Sequence, residues 1–210
     1  MTLRTRLAAV AGGIALTLSL AACGNGEETT PEEPAAGTAA EETTDSSQTQ
    51  AEDVHNDADT MFAQMMIVHH EGAIEMADLA VEKADSEEVR SLAERISAAQ
   101  GPEIEKMTSW LEAWGEETSP MGGMEGMDHG DMDMEGMSQE EAMAELESLS
   151  DAEFDQRFLE LMIAHHRGAV DMAQEELDGG ENPEALDLAQ KIIDDQQAEI
   201  SEMEELLQGL

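Results

Sequence analysis

Displaced by 96 residues, the chain falls into register with itself, and the register holds without a gap across two helix-length stretches. Phe62, Met66, His69, His70, Gly72, Ala73, Met76 and Ala77 lie over Phe158, Met162, His165, His166, Gly168, Ala169, Met172 and Ala173. Farther on, Leu92, Ala93, Ile96, Gln100, Glu103, Ile104, Met107 and Leu111 lie over Leu188, Ala189, Ile192, Gln196, Glu199, Ile200, Met203 and Leu207. Self-similarity at a fixed offset means that one supersecondary unit is used twice. The fold must therefore pair two like halves, each of which leaves an apolar face for the other to cover.

Each half reads as two amphipathic helices. In the first half they are predicted from about Asp57 to Ala84, and from Asp85-Ser86 to Gly115, with Asp85 and Glu88 at capping-box spacing. In the second half the first helix is predicted from Asp151 to about Leu177, opened by a Ser150/Glu153 capping box and stopped by Gly179-Gly180. Asn182 as N-cap and Pro183 in the first turn then open its partner. Gly101-Pro102 is expected to interrupt and kink the second helix of the first half, whereas Gln197-Ala198 lets the counterpart continue. No segment alternates β-branched residues as a strand would. The expected class is all-α, a four-helix bundle of two tandem helix hairpins, with repeat one at 57–115, a linker at 116–149 and repeat two at 150–210.

The segments outside the repeats carry other signals. Arg4 and Arg6 precede an uncharged apolar run from Leu7 to Ala22, short of the ~20 apolar residues of a spanning helix, that ends in Leu20-Ala21-Ala22-Cys23. Residues 1–22 thus read as a signal peptide. A Cys directly after the small residues resembles the bacterial lipobox, which makes Cys23 the expected lipidation site and the outer face of the cell membrane the expected location. Cys23 is also the one cysteine, so disulfides within the chain are excluded. Residues 23–56 lack apolar periodicity and read as a disordered acidic tether. Fifty acidic against nine basic residues give a formal charge of −41. That charge repels nucleic acid and anionic headgroups, leaving metal ions, and the membrane through the anchor alone, as the expected partners.

At about 100° per residue, Met66, His70, Ala73 and Ala77 share a narrow stripe flanked by Phe62, His69 and Met76. Met162, His165, His166 and Met172 repeat the arrangement. Di-iron bundles place Glu-x-x-His on their helices; here the matching spacing is Met66-x-x-His69 and Met162-x-x-His165. Thioether with imidazole favours a soft or borderline ion, Cu(I) foremost, as a cargo not required for folding. The linker agrees: Met121, Met124, Met127, His129, Met132, Met134 and Met137 fall within seventeen glycine-spaced residues. Glu103 and Glu199, with Gln100 and Gln196, lie on apolar stripes of the second helices, where a carboxylate is costly unless paired. The histidine doublets are the available partners, so these four are candidate outer supports of the site. An alternative reading makes the doublets a buried structural network. If they ligate metal, affinity is expected to weaken below the ordinary imidazole value near ~6.5.

The pattern Met-Ile-x-His-His-x-Gly-Ala-x-x-Met-Ala, followed by Gln-x-x-Glu-Ile-x-x-Met, resembles a family of secreted bacterial proteins catalogued as a domain of unknown function. The resemblance spans roughly residues 57–210 and implies ferritin-like membership, with His69, His70, His165 and His166 as the paired histidines. It also implies copper binding outside the cytoplasm, reported for some relatives. The Gly101-Pro102 break and the tether depart from the family pattern. The leading expectation is an extracytoplasmic copper-binding lipoprotein, a buffer or carrier with no catalytic step. A metal oxidase on a ferritin-like frame is the enzymatic alternative.

Overall fold

The computed structural model describes residues 54–119 and 136–210. Five helices account for nearly all of them: α1 (Asp57–Lys83), α2 (Glu87–Trp114), α3 (Gln139–Ser148), α4 (Asp151–Gly179) and α5 (Pro183–Gly209). The class is all-α. α1 and α2 form one hairpin and α4 and α5 the other; the hairpins join where α1 packs on α4, while α2 and α5 barely meet. The short α3 lies across α4 and α1.

The helix starts follow from side chains that accept from otherwise unpaired N–H groups. Asn56 Oδ1 accepts from the Ala58 and Asp59 amides, and Asp59 returns the contact to the Asn56 amide at 2.7 Å, a complete capping box. Ser138 and Glu141 make another at α3. One predicted start and one predicted capping box are corrected. α2 is capped by Ser86, one residue past the predicted Asp85, while Asp155 accepts from the Asp85 and Ser86 amides at 3.0 and 2.7 Å. α4 starts at Asp151 behind Ser150, as predicted, but without the capping box: the Ser150 hydroxyl donates to Asp151, which itself adopts a left-handed φ of 56°.

The predicted break at Gly101-Pro102 is corrected as well. α2 runs through it as one helix. An interior proline costs about 3 kcal/mol, but Leu92 and Ile96 before it and Met107 and Leu111 after it are fully buried. Packing on both sides holds the helix across the weak link.

Two aspartates of equivalent position clasp the halves together. Asp155 of α4 binds the turn between α1 and α2, as above, and Asp59 of α1 binds the Glu181 and Asn182 amides in the turn between α4 and α5. Each half thus satisfies the free N–H groups of the other half's hairpin turn. Because Asp59 begins α1 and its partners follow the end of α4, the two central helices must run antiparallel. Both aspartates are buried.

The antiparallel arrangement sorts the core into two apolar clusters with a gap between them. One holds Met76, Leu92, Ile96, Phe154, Phe158, Leu161, Met162 and Met203. The other holds Phe62, Met66, Met107, Trp110, Leu111, Ala169, Leu188 and Ile192. Along α1 the gap falls at His69-His70, along α2 at Gln100–Glu103, along α4 at His165-His166 and along α5 at Gln196–Glu199. The waist of the bundle is polar.

Candidate metal centre

Helical periodicity turns one face of each first helix inward, so both doublets reach the waist from opposite sides, and all four imidazoles are at most 2 % exposed. The first histidine of each doublet meets its counterpart: the His69 and His165 rings lie 3.6 Å apart between centroids, tilted by 44°. Gly168 makes room for this approach, since a Cβ there would stand 3.3 Å from His69 Nε2.

The second histidine of each doublet turns to its own hairpin. His70 Nε2–H donates to Glu103 Oε2 at 2.9 Å, and His166 Nε2–H donates to Glu199 Oε2 at 2.7 Å. A carboxylate only accepts, so the hydrogen belongs to Nε2, and a neutral ring then carries its lone pair on Nδ1. Burial pushes the Glu103 carboxyl up, but the His70 and Lys191 contacts outweigh it and hold it below the usual range. Lys191 of α5 donates to Glu103 Oε1 at 2.8 Å, tying α2 to the opposite hairpin.

What remains at the waist is a set of buried polar atoms without a protein partner. They are Nδ1 of all four histidines, Nε2 of His69, both amide atoms of Gln100, and Oε1 of Gln196. Such atoms are costly to leave unsatisfied, and their concentration in one layer points to a guest that satisfies them. Burial, with the neighbouring His70 and His166, lowers the His69 imidazole to about 3. Burial, and then the other three histidines, hold His165 well below its ordinary value. Both rings are neutral at any pH near 7, the form that ligates metal. The proton competition expected near ~6.5 is therefore displaced to far lower pH for this pair.

Among the described residues no three His, Cys, Asp or Glu side chains converge as a metal-binding group. The donor set is imidazole with thioether nearby, which suits a soft ion over one that wants several carboxylate oxygens. Met66, Met76 and Met162 are fully buried in the apolar clusters on either side of the waist, and Met172 packs half-buried against the second. Met137 is half-buried at the foot of α3, its sulfur accepting from Arg157 Nη2 at 3.4 Å. Met121, Met124, Met127, His129, Met132, Met134 and Cys23 lie outside the described residues.

Sequence reasoning missed the cross-hairpin aspartates and one buried acid. Asp59 lies over Asp155 in the 96-residue register, a signal that was available. Glu176 lies over Ala80 and breaks the repeat. It is 2 % exposed beside Asp59, and burial, then the Asp59 carboxylate, push its carboxyl up to about 8. Asp59 goes the other way: burial raises it, but contacts from Glu176 and three backbone amides bring it below the usual value.

The family described as "Domain of unknown function (DUF305)" matches residues 59–207. No curated protein matches the sequence at a significant level. Among solved structures, a DUF305 fragment from Deinococcus radiodurans is 34% identical with a TM-score of 0.65, over 74% of this chain and 98% of that one. A DUF305 protein from Streptomyces coelicolor, named as a candidate secreted protein, is 33% identical with a TM-score of 0.64, over 72% and 91%. CopM in its Cu(II)-bound form is 35% identical with a TM-score of 0.60, over 72% and 96%, and the same protein has been solved with Cu(I) and with Ag. The family pattern thus spans both hairpins and all four waist histidines, and the chain belongs to the DUF305 family.

Proposed function

We propose that the protein is an extracytoplasmic copper buffer or carrier, with Cu(I) as cargo held at the waist of the bundle and captured as well by the methionine-rich linker. The observation that carries this reading is the layer of unpartnered imidazole nitrogens, buried and, at His69 and His165, held neutral. His69, His70, His165 and His166 are the proposed nitrogen donors, and Met66, Met76, Met162 and Met172 the thioethers within one or two turns. Glu103 and Glu199 orient the second histidine of each doublet, as outer carboxylates do in metal sites. The likeness to CopM, solved with copper and silver, supports a soft cargo. No catalytic step is proposed.

The test is a Cu(I) titration of the purified chain against a competing chelator, beside a variant lacking residues 121–137. The full chain is expected to bind more Cu(I) than the deletion variant, and the deletion variant to retain the waist's share and its helicity. Failure of either protein to compete with the chelator would overturn the copper reading. An unchanged stoichiometry on deletion would make the linker a spacer.

The location follows from the Leu-Ala-Ala-Cys junction, which we read as a lipid-anchoring signal. The Cys23→Ser variant is expected to leave the membrane fraction or to remain unprocessed. Membrane association equal to that of wild type would remove the anchor from the proposal.

A further inference from the structure

The repeat is broken on the outer side of the histidine face of α1. Met61 and Met65 precede His69 by eight and four residues, and their counterparts in α4 are Arg157 and Leu161. Leu161 is fully buried in the first apolar cluster, and Arg157 pairs with Glu145 and Glu160. Met65, by contrast, is half-buried and belongs neither to the two apolar clusters nor to the half-buried residues packed against them. Met61 is 55% exposed, one of few large apolar side chains among the described residues that face water. Methionine here does not fill the core.

Residues four apart on a helix are neighbours on its surface, about 5–6 Å apart between Cβ atoms. Their Cα–Cβ bonds tilt toward the helix N-terminus, so each side chain covers the turn before it. Met61, Met65 and His69 therefore make a ladder of soft donors one turn apart, and burial rises along it from exposed to half-buried to 1 % exposed. At its inner end stands the one waist histidine with both ring nitrogens unpartnered. We propose that Met61 and Met65 form an entry site that binds a soft monovalent ion at the surface and passes it to His69. Thioethers suit this task because they carry no proton to lose, are neutral and bind soft ions in preference to the hard cations that the acidic surface collects. α4 has no such ladder, so loading starts from the α1 side.

The inference rests on the copper reading, and the experiment separates the two. Ag(I), a soft monovalent ion that does not change oxidation state in air, is the probe. In the full chain labelled at methionine methyl carbons, Ag(I) is added in substoichiometric amounts, and methionine methyl and histidine ring signals are followed by NMR. The Met61 and Met65 methyls are expected to shift on binding. In the Met61→Leu/Met65→Leu variant the histidines are expected to load several-fold more slowly but to the same final extent. Leucine keeps the apolar volume, and a thermal melt equal to wild type confirms that the helix is intact. Histidine loading at the wild-type rate in the variant, or methyls of Met61 and Met65 that never shift, would overturn the entry site and leave the copper reading standing. Histidines that take up no Ag(I) or Cu(I) in wild type would overturn both.

Discussion

Replacing His69 and His165 by glutamine is expected to abolish the stabilisation that Cu(I) confers on the bundle while leaving the metal-free protein as stable as wild type or more so. Neither ring donates or accepts a hydrogen bond through the nitrogens identified as unpartnered, so the metal-free fold has no bond to lose there. Bound cargo should stabilise wild type by about 4 kcal/mol when free ion exceeds Kd a thousandfold, which the variant forfeits. His70→Leu/His166→Leu should differ from it in the metal-free protein. It strips Glu103 and Glu199 of their imidazole partners and should cost the metal-free protein roughly 1–3 kcal/mol per site. Glu103 should suffer less, since Lys191 still donates to it. Chemical denaturation of the two variants and wild type, with and without Cu(I), reads both effects. An equal Cu(I)-induced gain in wild type and His69→Gln/His165→Gln would eliminate the central pair as ligands. Metal-free destabilisation by that variant would make the pair structural.

Stability should pass through a maximum near pH 6.5 and fall on both sides. His69 is lowered from 6.5 to about 3 and His165 well below 6.5, so below 6.5 the unfolded chain binds two protons that the folded chain refuses. Their contribution is complete above 6.5 and is lost as pH falls. Glu176 works in the other sense: raised from 4.5 to about 8, it is protonated when folded and ionised when unfolded between those values. Its contribution is complete below 4.5 and is lost as pH rises toward 8. Between 4.5 and 6.5 the two histidines outweigh the one acid, and stability should climb with pH. Between 6.5 and 8 only the acid counts, and stability should decline as pH rises. Glu176→Gln removes the acid. It should erase the alkaline decline, steepen the acid slope and stabilise the protein at pH 7 by about 3 kcal/mol. Below 4.5, Asp59 and Glu103, both lowered in the folded state, add to the acid loss. Urea unfolding of metal-free protein from pH 4.5 to 8 measures the profile. A maximum that Glu176→Gln leaves unmoved would refute the role assigned to that acid.

The fold was legible because its determinants are local and periodic. Apolar spacing and the Asn182-Pro183 start each act within a few residues, and the 96-residue register shows that whatever one half does the other repeats. Around α2, where prediction missed, contacts with distant residues matter. The turn that leads into α2 is held by Asp155 from the other half, which accepts from the Asp85 and Ser86 amides. Pro102 is carried within α2 because Ile96, Met107 and Leu111 are packed against other helices on both sides of it.

The candidate site divides in the same way. The residue types at the waist, and the pairing of a second-helix glutamate with a first-helix histidine, could be read from a carboxylate on an apolar stripe in need of a partner. Nothing in the sequence distinguishes His69 from His70, which are adjacent and chemically identical. Antiparallel packing of α1 on α4 does so: it sets His69, with both ring nitrogens unpartnered, against His165, with Nδ1 unpartnered, and turns His70 and His166 toward their own hairpins. Burial, a property of the assembled bundle, then holds the central pair neutral. By itself, the sequence determined that the chain would make two like hairpins with imidazole and thioether along their inner faces, because periodicity is a property of a single helix. Only the tertiary structure decided which imidazoles meet, which are clamped and which stay free, because those depend on where two distant helices cross.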